Sequence, residues 1–342
     1  MRVACLALTA AVLLSGCDAR AGVASIGSQD LPSPGSYRVT GTVTVGKRPV
    51  GVAVDPSTGT VYVANWGDGT VSVIDAATRT VVADIPIGHG SANVAVDHGT
   101  HTVFVLNPVD PYVTVIDGVA RAVIDRVPVG KQPTGLAVDP ITHLVYVSDR
   151  DTTLSVLDGR TRAVIDTVPV IANQTGVVVD PGTNTVYVGS TRSPEGELPY
   201  SSEHVVSVVD GSTRAVTGTV VAGLGRSGLA FDSSVRILYV ANQWDKTVAS
   251  IDASTNTVIA TVAVDGGLFP GGAIAVDPGT HTVYVIPYRD NSVVVIDGQT
   301  NDVVATVPVG ENLSDLAVDS ATHAVYVTQY DGTVSIIENV IG

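Results

Sequence analysis

The chain has 342 residues, a net charge of −15 and only two cysteines. That acidity removes nucleic acid as a partner, because a phosphate backbone needs a basic footprint. Both cysteines, Cys5 and Cys17, lie near the N-terminus, so the body offers no thiol for a disulfide, a thiolate metal site or a nucleophile.

In chain order, Met1-Arg2 gives a short positive start and Val3 to Leu14 an apolar stretch too short to span a bilayer. It ends in Leu14-Ser15-Gly16-Cys17, which resembles a bacterial lipobox. That resemblance implies a diacylglyceryl group on Cys17 as the new N-terminus. Two acyl chains suffice for stable anchoring, at about 0.8 kcal/mol per buried CH₂. Asp18 to Ser36 has no apolar period and is rich in Gly, Ser, Ala and Pro. It reads as a flexible tether with a root-mean-square span of about 25 Å. Three lysines against fifteen arginines, with abundant Ala, Val, Gly and Thr, suggest a GC-rich genome. With the lipobox this places the protein outside the cytoplasm, lipid-anchored to the outer face of a Gram-positive cell membrane.

From Val50 onward one pattern repeats seven times: a short apolar strand ending in Asp, a turn, then an apolar–aromatic–apolar triplet. GVAVDPSTGTVYV, NVAVDHGTHTVFV and AIAVDPGTHTVYV are three copies. The shared residues are Asp55, Asp97, Asp139, Asp180, Asp232, Asp277 and Asp319, in steps of 42, 42, 41, 52, 45 and 42. Such a period marks a repeat architecture. The first copy holds four runs rich in Val, Ile, Thr and Tyr: Val50–Val54, Thr60–Ala64, Thr70–Ile74 and Val81–Ile87. Their nearly continuous apolar character predicts burial on both faces. Four strands in seven copies predict an all-β, seven-bladed β-propeller. After Glu338 too few residues remain for a fourth strand, whereas Val39–Val45 precedes the first copy and matches fourth strands such as Val303–Val309. The N-terminal strand is therefore expected to complete the last blade and close the ring. The segments are a lipoprotein signal peptide over 1–16, a lipidated Cys and tether over 17–36, and the propeller over 37–342.

The VYVAN, VYVSD and LYVAN segments, each after an AVDP-like turn, resemble the YVTN-repeat β-propellers. The resemblance covers the chain from about Val39. It implies this fold on a secreted or surface protein and no particular chemistry.

Most of the acidity reads as architecture. The strand-ending Asp set, and a second set at Asp75, Asp117, Asp158, Asp210, Asp252 and Asp297, suit Asx-type turns. His101, His143, His281 and His323 share one repeat position and are expected as surface turn residues spread around a rim. His89 and His204 are expected in the opposite loops. No G-x-S-x-G elbow, D-x-D-x-D run or phosphate loop occurs, so no catalytic residue, metal ligand or cofactor is assigned.

Function is expected where the copies differ. Loops joining second to third strands, and fourth to first strands, emerge on one face. They carry Trp66, Tyr112, Tyr200, Trp244, Phe269, Tyr288 and Tyr330, with Arg150, Lys246 and Arg289 among the charged neighbours. Further polar candidates are Arg48, Lys131, Gln132, Asn173, Gln174, Arg226, Gln243 and Asn312. Exposed aromatics beside cations are what binding surfaces use. The fourth copy also inserts Arg192–His204. The leading expectation is a monomeric binding module that meets an envelope protein, a glycan or a small molecule on this face. The alternative is a lactonase-like hydrolase or lyase with a weak site at the channel mouth, near His89, Asp265, Glu311 and Asp315.

Overall fold

The computed structural model describes residues 36–193, 202–225, 228–266, 268, 273–287 and 290–340. They belong to one unit, Gly35–Gly342. After a first strand β1 (Ser36–Thr44), the first repeat forms β2 (Pro49–Asp55), β3 (Thr60–Asn65), β4 (Thr70–Asp75) and β5 (Thr80–Pro86). These match the four expected runs to within one or two residues. Blade 2 comprises β6 (Val94–Asp97), β7 (Thr102–Asn107), β8 (Tyr112–Asp117) and β9 (Ala122–Pro128). Blade 3 comprises β10 (Pro133–Val138), β11 (Leu144–Asp149), β12 (Thr153–Asp158) and β13 (Ala163–Pro169). Blade 4 comprises β14 (Gln174–Asp180), β15 (Thr185–Arg192), β16 (Glu203–Asp210) and β17 (Ala215–Leu224). Blade 5 comprises β18 (Leu229–Asp232), β19 (Ile237–Asn242), β20 (Thr247–Asp252) and β21 (Thr257–Ala263). Blade 6 comprises β22 (Ile274–Asp277), β23 (Thr282–Val285), β24 (Ser292–Asp297) and β25 (Asp302–Pro308). Blade 7 comprises β26 (Leu313–Val318), β27 (Val325–Gln329) and β28 (Thr333–Val340).

Each blade is a four-stranded antiparallel sheet, and β1 supplies the fourth strand of blade 7. Ser36 lies opposite Val340 and Thr44 opposite Thr333. The other six blades share one irregularity, a β-bulge between third and fourth strands, as at Val73/Ile74 and Val295/Ile296. Blade 7 carries it too, at Val39/Gly41. The N-terminal strand is thus a fourth strand in geometry as well as position. A bulge at each outer edge twists that edge away from further pairing. The first strands of successive blades touch around the ring, and β26 touches β2.

There is no single core. Seven apolar layers fill the seven seams between blades. Each is anchored by one aromatic from a second strand: Tyr62, Phe104, Tyr146, Tyr187, Tyr239, Tyr284 or Tyr326, all at most 2% exposed. Burial pushes the phenol of Tyr62, Tyr146, Tyr187, Tyr239 and Tyr326 up to about 12. The expectation of burial on both faces holds for second and third strands but not for the fourth. Fourth strands alternate, and Val82, Ile124, Ile259 and Val304 are at least 40% exposed. They are edge strands, so part of each projects into solvent while other residues, such as Ile85 and Val127, reach a seam.

The seven strand-ending Asp residues are buried, and each Oδ1 accepts the N–H two residues on. The turn chemistry expected from sequence is therefore made in every blade. The histidines expected as surface turn residues do more than that. Nδ1 of His101, His143, His281 and His323 lies 2.7–2.9 Å from Oδ2 of Asp55, Asp97, Asp232 and Asp277 on the preceding blade. Arg236 Nε takes the same role toward Asp180 at 3.3 Å. These contacts latch one blade to the next. The Asp55 carboxyl is desolvated, which alone would raise its pKa. Hydrogen bonds from Ser57 and His101 outweigh this and hold it below the ordinary value.

Candidate functional site

The opposite rim is built on a repeated backbone device. Entering blades 1, 3, 4 and 7 the chain turns through a non-glycine residue with positive φ: Arg48 (51°), Gln132 (53°), Asn173 (58°) and Asn312 (58°). The carbonyl of that residue accepts an N–H at or just past the end of the second strand of the same blade. The pairs are Trp66 N to Arg48 O at 3.0 Å, and Arg150 N to Gln132 O at 3.2 Å. Thr191 N to Asn173 O and Tyr330 N to Asn312 O are each 3.1 Å. A constant frame thus presents a different side-chain pair on blades 1, 3, 4 and 7. In blade 1 the frame is reinforced, because Asp68 Oδ2 accepts Lys47 N at 2.7 Å.

Blades 7 and 1 are neighbours, and here two pairs merge. The Arg48 guanidinium carbon stands 6.0 Å from the Tyr330 ring centroid. Such a contact at an exposed site contributes about 0.5–1 kcal/mol. Arg48 is exposed, Tyr330 is 36% exposed and Trp66 is half-buried. Lys47 projects into solvent beside them. The result is one aromatic–cationic patch, Trp66–Arg48–Tyr330, across the seam.

Other candidates are not drawn into it. Trp244, 39% exposed, and Lys246 sit on the blade 5 rim, two blades away from this seam. Arg150 is exposed on blade 3. Tyr112, expected in a loop, opens strand β8 instead. Its hydroxyl accepts from Asn107 Nδ2 at 3.0 Å, and Arg126 lies 5.6 Å from its ring centroid, so it is held within its own blade. Cys17, Tyr200, Arg226, Phe269, Tyr288 and Arg289 lie outside the described residues. Among the described part of the blade 4 insertion, Arg192 Nε donates to Glu203 Oε2 at 3.0 Å and lengthens the hairpin.

The residues around the channel mouth stay apart. His89, Asp265 and Glu311 are exposed in separate loops. Asp315 is not in a loop but in β26, at a position filled by Gly51, Asn93, Gly135, Gly176 or Ala273 in other blades. Its Oδ2 accepts Val52 N of blade 1 at 3.2 Å, and its Oδ1 accepts Leu316 N. Desolvation outweighs these two bonds and pushes the carboxyl up to about 7. His204 is likewise a strand residue, fully buried in β16, because the insertion extends that strand. Its Nδ1 faces Asn242 Oδ1 at 3.2 Å, and burial pushes it down to about 4. Among the described residues, no group of three or more His, Cys, Asp or Glu side chains could hold a metal ion. Among them, too, no helix is long and apolar enough to cross a membrane.

Fold and rim together define a seven-bladed β-propeller. No family model matches the chain, and no curated protein does. Among solved structures it is similar to Kuenenia stuttgartiensis hydrazine synthase, with a TM-score of 0.72 and 17% identity. The match covers 86% of this chain and 96% of that one. At that identity the likeness is one of fold alone.

Proposed function

We propose that this chain is a lipid-anchored, extracytoplasmic interaction module of YVTN-repeat type that meets its partner on the rim of blades 7 and 1. The observation that carries the reading is the junction of Trp66, Arg48 and Tyr330. Two copies of the backbone frame fix them: the Arg48 carbonyl holds Trp66 N, the Asn312 carbonyl holds Tyr330 N, and the Arg48 guanidinium faces the Tyr330 ring. Rigid aromatics with a preorganised guanidinium lose little entropy on binding and dominate affinity when desolvated. An envelope glycan stacked on the rings, or an envelope protein docked over them, suits that chemistry. The anchor rests on Leu14-Ser15-Gly16-Cys17, and the family reading on VYVAN, VYVSD and LYVAN.

Titration of purified protein with cell-wall glycan fragments, read by tryptophan fluorescence, tests this together with crosslinking capture from native membranes. Replacing Trp66 and Tyr330 by Ala should lower affinity at least ~30-fold, as for central anchors of an interface. Trp244→Ala should leave it unchanged. Equal loss from both variants, or no loss from the first, refutes the rim assignment. Cys17→Ala should release the protein into the medium, and continued membrane association would contradict the anchor.

A further inference from the structure

A side chain reaches the Asp of the preceding blade in five of the seven seams, histidine in four and Arg236 in one. In the seam that Asp139 faces the position is held by Asn184, whose Nδ2 donates to Ser212 Oγ instead. In the seam from blade 7 to blade 1 the position falls to Gly59, which has no side chain to offer Asp319. At this seam the surface opens into a cleft of about 200 Å³ lined by Asp319, Gly59, Asp75, Arg79, Tyr326 and Glu338.

Asp319 is fully buried, yet its Oδ2 accepts only from Thr322 Oγ1, at 2.7 Å. Asp277 makes the same turn, and its Oδ2 accepts both Thr280 Oγ1 at 2.9 Å and His323 Nδ1 at 2.7 Å. Asp180 Oδ2 similarly takes Thr183 Oγ1 and Arg236 Nε. Asp319 Oδ2, like Asp139 Oδ2, thus takes one donor fewer than its latched counterparts, and Asp319 lines the cleft. Arg79 does not supply that donor. Its guanidinium is turned to Glu338 Oε1 at 2.8 Å and to the Thr40 carbonyl at 3.2 Å. Three carboxylates face one arginine, a formal charge of −3 + 1 = −2.

We propose that this cleft is a binding site for a side-chain-sized organic cation with N–H donors, a guanidinium or imidazolium group. It takes the place that His or Arg holds in five of the other seams. Asp319 anchors the N–H, the Tyr326 ring and Ala324 flank the planar group, and the surrounding carboxylates offset its charge. The same chemistry is carried by a free small molecule or by an exposed arginine of a partner peptide.

Gly59→His is the decisive variant. Gly59 has φ +61, and the latch histidines adopt φ of 53 to 64. A Cβ at Gly59 meets nothing closer than 4.0 Å. The variant should fold, fill the cleft and melt higher than the parent. The parent should gain about 2 °C or more in thermal midpoint from methylguanidinium or imidazole over matched sodium chloride. G59H should gain nothing beyond the salt control. Asp319→Asn should also lose the response; should it fail to fold, G59H alone decides. Equal shifts in parent and G59H, or no shift in the parent, overturn the proposal. In calorimetry, tighter binding of Gly-Arg-Gly than of methylguanidinium assigns the cleft to a partner's arginine. Equal or weaker binding assigns it to a free small molecule.

Discussion

Replacing Asp315 with Asn removes one ionisable group and keeps its shape. The folded carboxyl titrates at about 7 against an ordinary 3.8. Between those values the folded state holds a proton that the unfolded chain has released, so this group makes stability fall as pH rises. Three units at ~1.4 kcal/mol each set a ceiling of about 4 kcal/mol. His204 works the other way. Its folded value is about 4 against 6.5, so the unfolded chain holds the extra proton and stability rises with pH over that range. The corresponding ceiling is about 3.4 kcal/mol. From pH 4 to 6.5 these two slopes nearly cancel, leaving the parent the shallower acid-side rise from carboxylates held low, such as Asp55 and Glu338. D315N should unmask a rise of up to about 3 kcal/mol over the same range. Urea unfolding at half-unit pH steps, with parent and variant side by side, measures it. Superimposable curves from pH 4 to 8 would refute the assignment of a raised pKa to this strand position.

The remaining expectations concern the seams. His143→Ala leaves Asp97 buried without its imidazole and should cost ~1–3 kcal/mol in chemical denaturation; a double-mutant cycle with Asp97→Asn should show coupling. Tyr146→Phe should be neutral or stabilising in the same assay, because the Tyr146 hydroxyl is buried without a partner and Phe104 already fills the equivalent place in blade 2. Arg79→Ala should cost about 1 kcal/mol, since its pair with Glu338 is partly exposed. The Glu338 carboxyl is held low by Thr40 and then Arg79, so its contribution should vanish as pH falls below the ordinary carboxylate range, and the parent–R79A difference should shrink in acid.

Strand positions were legible because short apolar runs recur between turn residues at fixed places in seven copies. Ring closure by Val39–Val45 was legible by counting strands. The latches were harder to see. His143 meets Asp97, 46 residues away in another repeat. The recurring His in phase with the Asp one repeat earlier was the available signal, and the vacancy at Gly59 follows once it is read. Asp315 and His204 were misplaced into loops because only register against a neighbouring strand distinguishes a loop end from a strand end. Of the rim aromatics, position in the repeat gave the face but not the neighbours. Trp66 and Tyr330 are 264 residues apart in a ring whose first and last strands pair, whereas Trp244, closer in sequence to Tyr330, lies on another part of the rim.

The hydrogen bond from Thr40 to Glu338 spans 298 residues. During synthesis Ser36–Thr44 leaves the ribosome before every other strand, yet its pairing partner is the last strand made. For nearly the whole of translation this segment must therefore stay solvated. Its run of Thr and Gly between Val39 and Val43 leaves little apolar surface exposed meanwhile. Six wedges can assemble in order behind it, each templated by the one before. The circle is sealed in one late event that joins the earliest and latest products of translation, and a nascent polypeptide halted before β28 would remain an open arc.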